Sequence, residues 1–464
     1  MHNPRPGVDD NPADFLFLVK LNAPFDDRKK MIAVLQAIQA VQDEKMDPLR
    51  TFSHVHLPDG TRRPQFVVAD LHLNLLVGFG LRFFLGPIGS PERANEEPIP
   101  NFPPGGVFKP RVPTRFGMKD RFVPMYLRTM AAAGDSDWIK AVLTEQSGGK
   151  TPTDQAVQEA YNQWLAAGEA DIVLQIECEN LYLAIDFVDA IRKAVIDPNG
   201  LELVGIQQAI SRGDGRAHIG FFDGTSDLQE MLRRDPLLYR SKIYLPTPSA
   251  VYPGQPAEVR DDPRYDGGTY MAYRKYQENL DKWFSDEFEI TDFYGKKYKG
   301  EEARRRAIGR NPHTGKAISR ASHKELEDEP DHTEINLSFN EAHALKARGG
   351  QVAPFMGPFP PAKVGHSQVF NTQEIRLKRR GVAYSELNPE TGQVDYGIHF
   401  ICFQNNIQQT GFEFINNIWL INPDFRRSTD GLMNPVGEII TPIEGCYFFV
   451  PPLQHSYPGD VFFE

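Results

Sequence analysis

The residues with the clearest capacity for chemistry lie in one stretch, GHSQVFNTQEIRLKRRGVAY, which runs from Gly365 to Tyr384. In this stretch His366 precedes a segment that is predicted to form a β-strand. Side chains of a strand alternate between its two faces, so Arg379 shares the apolar face of Ile375 and Leu377. Arginine keeps its charge, and a guanidinium that faces a core therefore requires an anionic or strongly polar partner.

Two interpretations of Arg379 are open from this stretch alone. The neighbouring Arg376, Lys378 and Arg380 fall on the other face and are cations, so they cannot supply the partner. Either an Asp or Glu elsewhere pairs with Arg379 in an ordinary structural ion pair, or Arg379 serves an anion that the protein holds.

A second motif, GFFDGTSD, runs from Gly220 to Asp227 and sets Asp223 between two glycines. Glycines allow a tight turn and the close approach of a flat ligand to the backbone. A carboxylate held by such a turn is a candidate proton acceptor. The same residues also fit an Asp-Gly turn whose only role is to shape the backbone.

Size and composition limit the possible classes of protein. At 464 residues the chain exceeds what one hydrophobic core usually supports, so two domains are expected. An apolar content of 40% and a charged content of 24% are those of an ordinary globular protein. The net charge of -11 and a pI near 5.6 argue against a nucleic-acid partner, which would require a concentrated basic face.

The chain shows no signal for a membrane or for secretion. It has no run of about 18 apolar residues, and its first residues include no apolar segment of a signal peptide. Cys178, Cys402 and Cys446 lie far apart inside apolar runs, which indicates buried free thiols in a reducing compartment, not a disulfide framework or a zinc site. These features predict a cytoplasmic protein without a membrane partner.

The first half of the chain alternates apolar runs with helical stripes. Its predicted order is strand, helix, strand, an insertion, then strand, helix, strand, which suits a split βαβ (ferredoxin-like) sheet. The predicted strands are 14–21, 65–77, 171–177 and 201–210, and the predicted helices are 26–42 and a second one capped by Asn180.

The second half repeats strand and helix. Predicted strands at 267–276 and 396–404 precede predicted helices at 277–284 and 405–419, and the charged segment 301–334 reads as solvated loop with a short helix. Residues 233–266 are rich in proline, aspartate and arginine and form the predicted linker between domains 1–232 and 267–464. The predicted fold is α+β, with two ferredoxin-like halves, antiparallel sheets and peripheral helices.

Taken together, the motifs resemble those of the dye-decolourising (DyP-type) haem peroxidases. GFFDGTSD is similar to the Gly-x-x-Asp-Gly signature of that family, and the other similar segments follow in family order along most of the chain. These segments are LLVGFGLRFF (75–84), IGRNPHTG (308–315), GHSQVFN (365–371), LKRRGVAY (377–384) and GIHFICFQNNI (397–407).

The resemblance implies roles for three residues. His366 matches the proximal iron ligand, Asp223 the distal acid–base and Arg379 the distal arginine, for which Arg380 is the alternative. The chain departs from the family pattern at Gln373, where an arginine is usual.

Further positions are implied to border the cofactor. Asn371 matches a residue near the haem propionates, and Ile398 and Phe400 match an apolar pair beside the distal oxygen site. The Asp223 loop contributes five more positions, namely Gly220, Phe221, Phe222, Gly224 and Thr225. Lys378 and Ala383 stand where leucine and proline are usual.

The activity implied by the resemblance is a haem peroxidase. It would carry haem b in the second half of the chain, reduce hydrogen peroxide and oxidise dyes, phenolics or similar reductants, with homo-oligomerisation possible. The alternatives are a haem carrier without turnover and a scaffold that has lost the cofactor. Asp223 and Arg379 distinguish the first alternative, since a carrier needs no distal acid–base pair, and His366 argues against the second.

Overall fold

The computed structural model describes more than half of the chain. The described residues are 8, 14–46, 55–56, 62–63, 73–87, 116, 143–144, 147–157, 159–160, 168–221, 236–245, 265–292, 294–319, 322–325, 339–348, 377–405, 407, 411–412, 415–420, 428, 430–433, 439–453 and 456–463. The predicted site residues Phe222, Asp223, Gly224, Thr225, His366 and Asn371 lie outside them.

Twelve strands occur in the described part of the chain. They are β1 (Phe15–Asn22), β2 (Val55–His56), β3 (Arg62–Arg63), β4 (Leu73–Gly80), β5 (Ile172–Cys178), β6 (Glu202–Ile210), β7 (Thr269–Glu278), β8 (Glu289–Thr291), β9 (Lys297–Lys299), β10 (Lys378–Leu387), β11 (Val394–Gln404) and β12 (Ile440–Val450).

Eight of these strands form one antiparallel sheet in the order β10-β11-β7-β12-β4-β5-β1-β6. Each half of the chain supplies four neighbouring strands. In the first half β1 lies between β5 and β6, and β4 lies beyond β5. In the second half β7 lies between β11 and β12, and β10 lies beyond β11. This is the ferredoxin-like strand order. The predicted α+β fold with two such halves is confirmed, and β12 joins them by pairing with β4.

The sheet curls so that its two edge strands approach each other. β10 lies near β6, although the two stand at opposite ends of the strand order. Arg380 on β10 pairs with Glu177 on β5, and Lys275 Nζ on β7 donates to Gln207 Oε1 on β6 over 2.9 Å. One face of the curled sheet is therefore enclosed, and the other packs against helices.

The helices are α1 (Arg28–Met46), α2 (Leu81–Leu85), α3 (Leu181–Ile191), α4 (Pro236–Ile243), α5 (Leu280–Phe284), α6 (Gly300–Ile308) and α7 (His343–Arg348). A π-helical segment, Arg192–Ile196, and a short turn, Asp197–Asn199, extend α3, and a second π-helical segment spans Ile415–Leu420. None of the helices described is long and apolar enough to cross a membrane.

The predicted apolar stripe of α1 is confirmed, because each of its members is buried in one core with the helix-facing side of the sheet. Those members are Met31, Val34, Leu35, Ile38 and Val41. The predicted cap of α3 is also confirmed, since Asn180 Oδ1 accepts from the backbone N–H of Tyr182 and Leu183. The three cysteines are buried and free, as predicted.

Several predicted boundaries were wrong. The helix predicted at 277–284 begins only at Leu280, because β7 continues to Glu278 and Asn279 caps α5. The helix predicted at 405–419 does not start at Asn405, since Asn405 and Ile407 lie in bends and the first helical residue described there is Phe412. The charged segment 301–334 was predicted as solvated loop with a short helix. The helix is present as α6, but it is not only solvated, because it buries Ala303, Ala307 and Ile308. The division of the chain at residues 233–266 stays a prediction.

Candidate functional site

The hairpin of β10 and β11 positions three of the predicted site residues on one face. Arg379 pairs with Cys402, Gly381 with Phe400, and Ala383 with Ile398, so their side chains project to the same side. We call this side, defined by Arg379, Gly381, Ala383, Ile398 and Phe400, the site face. Arg379 is exposed and the other four are half-buried.

Arg379 does not point into a core as expected from its apolar neighbours. It is exposed, whereas Lys378 and Arg380 retain only 2% and 1% of their exposure. Alternation correctly placed Arg379 beside Leu377, but the burial of the two faces was assigned wrongly. The face that was expected to carry exposed cations is the enclosed one, because the sheet curls around it.

Arg380 has a buried anionic partner. Nε of Arg380 donates to Glu177 Oε1 over 2.8 Å, and an Nη atom contacts Glu177 Oε2. Gln175 Nε2 also donates to Glu177 Oε1, over 2.8 Å. Arg380 is thus fixed on the enclosed face, on the opposite side of the β10–β11 hairpin from the side chains of Ile398 and Phe400.

An aromatic group surrounds Phe400 on the site face. Its ring lies 6.2 Å from that of Tyr276 and 5.8 Å from that of Phe412. The buried Arg274 guanidinium lies 4.8 Å from the centre of the Phe412 ring and 5.3 Å from that of Tyr447. Gly381 keeps the face flat, since a Cβ there would approach Ile398 Cδ1 to 2.9 Å.

The chain that leads into the Asp223 loop is anchored against the same core. Gly220 N donates to Ala217 O over 2.9 Å, and Gly220 adopts a φ of 88°, which favours glycine. Trp283 Nε1 donates to Ile219 O over 3.0 Å, and the Phe221 ring packs on the Trp283 ring. Phe221 belongs to the core against which Ile398 and Phe400 pack, so Phe221 lies on the side of the sheet that carries the site face.

Two described histidines have structural partners. His218 Nε2 lies 3.0 Å from Tyr384 O and 3.3 Å from Ser385 Oγ, which ties the segment before Gly220 to β10. His399 faces away from Ile398 and Phe400, as predicted, and its Nδ1 lies 3.1 Å from the Tyr273 hydroxyl.

The enclosed position of His399 predicts acid sensitivity. Burial, followed by the charge of Lys275, lowers the pKa of His399 from its ordinary value of 6.5 to about 3. Below pH 6.5 the His399 imidazole of the unfolded chain therefore binds a proton, whereas that of the folded chain stays neutral. The stability present above pH 6.5 is lost as the pH falls towards 3. We expect His399 to account for a loss of about 2 kcal/mol between about pH 6.5 and pH 5.

Urea unfolding at the two pH values measures this loss. The His399→Gln variant keeps a side-chain polar group near Tyr273 and should lose less stability on acidification than the native chain. An equal loss in both proteins would show that His399 is not the group responsible.

Sequence reasoning missed the residues that build the enclosed face, above all Glu177 and Tyr273. A signal for Glu177 was present, because a carboxylate stands between the apolar residues Ile176 and Cys178 at the end of the strand predicted at 171–177. A buried carboxylate of that kind requires a cationic partner.

Comparisons with known proteins agree with the resemblance of the motifs. Residues 355–455 match the family model described as "Dyp-type peroxidase, C-terminal". None of the curated proteins matches the chain in sequence.

Solved structures of DyP-type peroxidases share the fold over nearly the whole chain. The peroxidase from Streptomyces coelicolor aligns with a TM-score of 0.56 at 18% identity, over 100% of this chain and 96% of its own. The peroxidase from Cellulomonas bogoriensis gives 0.54 at 18% identity, over 99% and 95%. Ferric DtpA from Streptomyces lividans gives 0.55 at 16% identity, over 99% and 95%.

Proposed function

We propose that the chain, whose residues 355–455 match the C-terminal model of the DyP-type peroxidases, is a haem peroxidase that reduces hydrogen peroxide and oxidises dyes, phenolics or similar reductants. The observation that carries the proposal is the site face itself. Its half-buried apolar surface ends in the exposed Arg379, and the hairpin that bears it falls within the segment matched by the family model.

The described residues fit a haem. A porphyrin is a flat, largely apolar ring with anionic propionates, and it requires a flat apolar surface with a cation nearby. Gly381, Ile398 and Phe400 offer that surface, and Arg379 offers the charge. We infer that haem b binds there with His366 as the iron ligand, that Asn371 lies near the propionates, and that Gly220 to Thr225 border the ring.

The haem iron would supply the position at which peroxide binds and is reduced. The chain supplies the groups that move protons. Asp223 would accept a proton from one oxygen of the peroxide and return it to the other oxygen, which departs as water. Arg379 stabilises the negative charge that develops as the O–O bond breaks. Two electrons from the reductant and two protons complete the conversion of one peroxide into two waters.

The face on which each arginine lies favours Arg379 over Arg380 for this role. Arg379 projects to the same side as Ile398 and Phe400, whereas Arg380 is held by Glu177 on the enclosed side. Because the Arg380 guanidinium is held by a buried carboxylate on the enclosed face, it is poorly placed to bind a charge that develops on the site face.

Peroxide-dependent oxidation of an anthraquinone dye and of a phenol tests the proposal. The haem-loaded protein should be most active under mildly acidic conditions. Asp223 needs its carboxylate to accept a proton, and the conversion of peroxide into water consumes two protons, which acidic conditions favour. A rate that climbs continuously up to about pH 9 would contradict the role of Asp223. Haem binding without any turnover would indicate the carrier function instead.

A further inference from the structure

A cavity lies beside the β8–β9 hairpin, apart from the site face. It has a volume of about 270 Å³ and is lined by the β8–β9 hairpin, by Arg306 of α6, by His323 and by residues 339–341. None of the residues assigned to the haem lines it.

Arg306 is the centre of this cavity wall. Its guanidinium lies 3.8 Å from the centre of the Tyr298 ring and 4.0 Å from that of the Phe339 ring. Glu341 Oε1 accepts from Arg306 Nε over 2.8 Å, and the Arg306 side chain keeps only 7% of its exposure. Arg306 is therefore a structural element of the wall, and its charge is met by Glu341.

The two carboxylates of the cavity are likewise engaged. Asp292 Oδ1 accepts from the backbone N–H of Tyr294 and Lys296, and Asp292 Oδ2 accepts from the Tyr298 hydroxyl over 3.0 Å. The side chains of Asp292 and Glu341 keep 9% and 3% of their exposure. Neither carboxylate presents an accessible charge to a ligand.

The accessible charge of the cavity is Lys296. Its side chain is exposed, its Nζ lies 4.8 Å from the centre of the Tyr298 ring, and no carboxylate within the described ranges forms an ion pair with it. On the other side the exposed His323 imidazole lies 5.4 Å from the Phe339 ring. The cavity thus combines one available cation with a wall of aromatic rings.

We propose that this cavity binds a small aromatic anion, a single ring that carries a carboxylate or a sulfonate. The anion pairs with Lys296, and the ring packs on the aromatic wall. The volume decides the size of the ligand, because drug-sized ligands occupy pockets of about 300–1,000 Å³ and this one lies just below that range. A multi-ring dye would not fit. The binding of this ligand does not depend on the proposed function. Only a use of the ligand as a reductant would rest on that function.

Calorimetric titration of the purified full-length, haem-loaded protein without peroxide tests the site. Benzoate and benzenesulfonate should bind, whereas benzamide, which lacks the charge, and acetate, which lacks the ring, should bind at least about tenfold more weakly. The Soret band should stay unchanged on addition of benzoate, since the cavity is separate from the haem site. A shifted band that accounts for all the heat would place the ligand at the haem and overturn the proposal.

Lys296→Gln and Lys297→Gln form a matched pair of variants. Lys297 is also exposed and lies on the same hairpin, but it pairs with Glu289 over 2.6 Å and is outside the cavity lining. Lys296→Gln should weaken benzoate binding about tenfold, and Lys297→Gln should leave it unchanged. Equal affinities in native protein and Lys296→Gln would refute the site. Because no peroxide is used, binding can hold even if peroxidase activity fails, and activity can hold without binding.

Discussion

Asp223→Asn is expected to slow the reaction of the haem-loaded protein with hydrogen peroxide by about 10²–10⁴-fold. An amide at this position can neither accept the peroxide proton nor return it. Arg379→Leu should slow the same step by about 10²–10³-fold, or roughly 3–4 kcal/mol, because it removes a donor to the developing charge. Rapid mixing with peroxide, followed at the Soret band, measures the step directly.

Two controls belong with these variants. Asp214→Asn changes a carboxylate that pairs with Arg212, keeps 44% of its side chain exposed and precedes Asp223 in the sequence, and it should react at the native rate. Both site variants should still bind haem with an intact Soret band, so that a slow reaction cannot be blamed on lost cofactor. A native rate for Asp223→Asn would remove that residue from the mechanism.

Arg380→Leu is expected to destabilise the fold by about 3–5 kcal/mol, the cost of leaving one member of a buried ion pair without the other. Arg380 and Glu177 are 1% and 2% exposed, so water cannot replace the lost partner. Glu177→Leu should cost a similar amount. The double variant should be more stable than either single one, since it leaves no unpaired charge. Urea unfolding followed by circular dichroism measures all three.

The same variant separates the two candidate arginines. In this account Arg380 is structural, so the folded fraction of Arg380→Leu should react with peroxide at close to the native rate. An Arg380→Leu protein that is as stable as the native chain but reacts slowly with peroxide would exchange the roles of Arg379 and Arg380.

Much of the fold could be predicted because its elements have local signals. The buried strands of the first half are short apolar runs, and α1 carries its apolar stripe at helical spacing. The central strand β12 was missed. Pro442 and Gly445 interrupt its pattern, and the register shifts between Pro442 and Glu444. Its place between β7 and β4 comes from pairing across the whole chain, which no local pattern encodes.

The site was predictable in residue types but not in environment. Alternation gave the correct grouping of Arg379 with Leu377, whereas the burial of Lys378 and Arg380 depends on the curl of the sheet. That curl brings β5 and β6 against β10 and converts a basic strand face into an enclosed one. Neither the curl nor the partner Glu177, which lies 203 residues away, is visible in the strand itself.

The central claim is that His366 binds a haem iron, and a haem titration of the purified protein tests it most directly. The native chain should bind one haem with a Soret band typical of histidine ligation, as should the control His313→Ala, which changes an exposed histidine. His366→Ala should lose that band or bind haem far more weakly. A His366→Ala protein with the native affinity and the native spectrum would contradict the account.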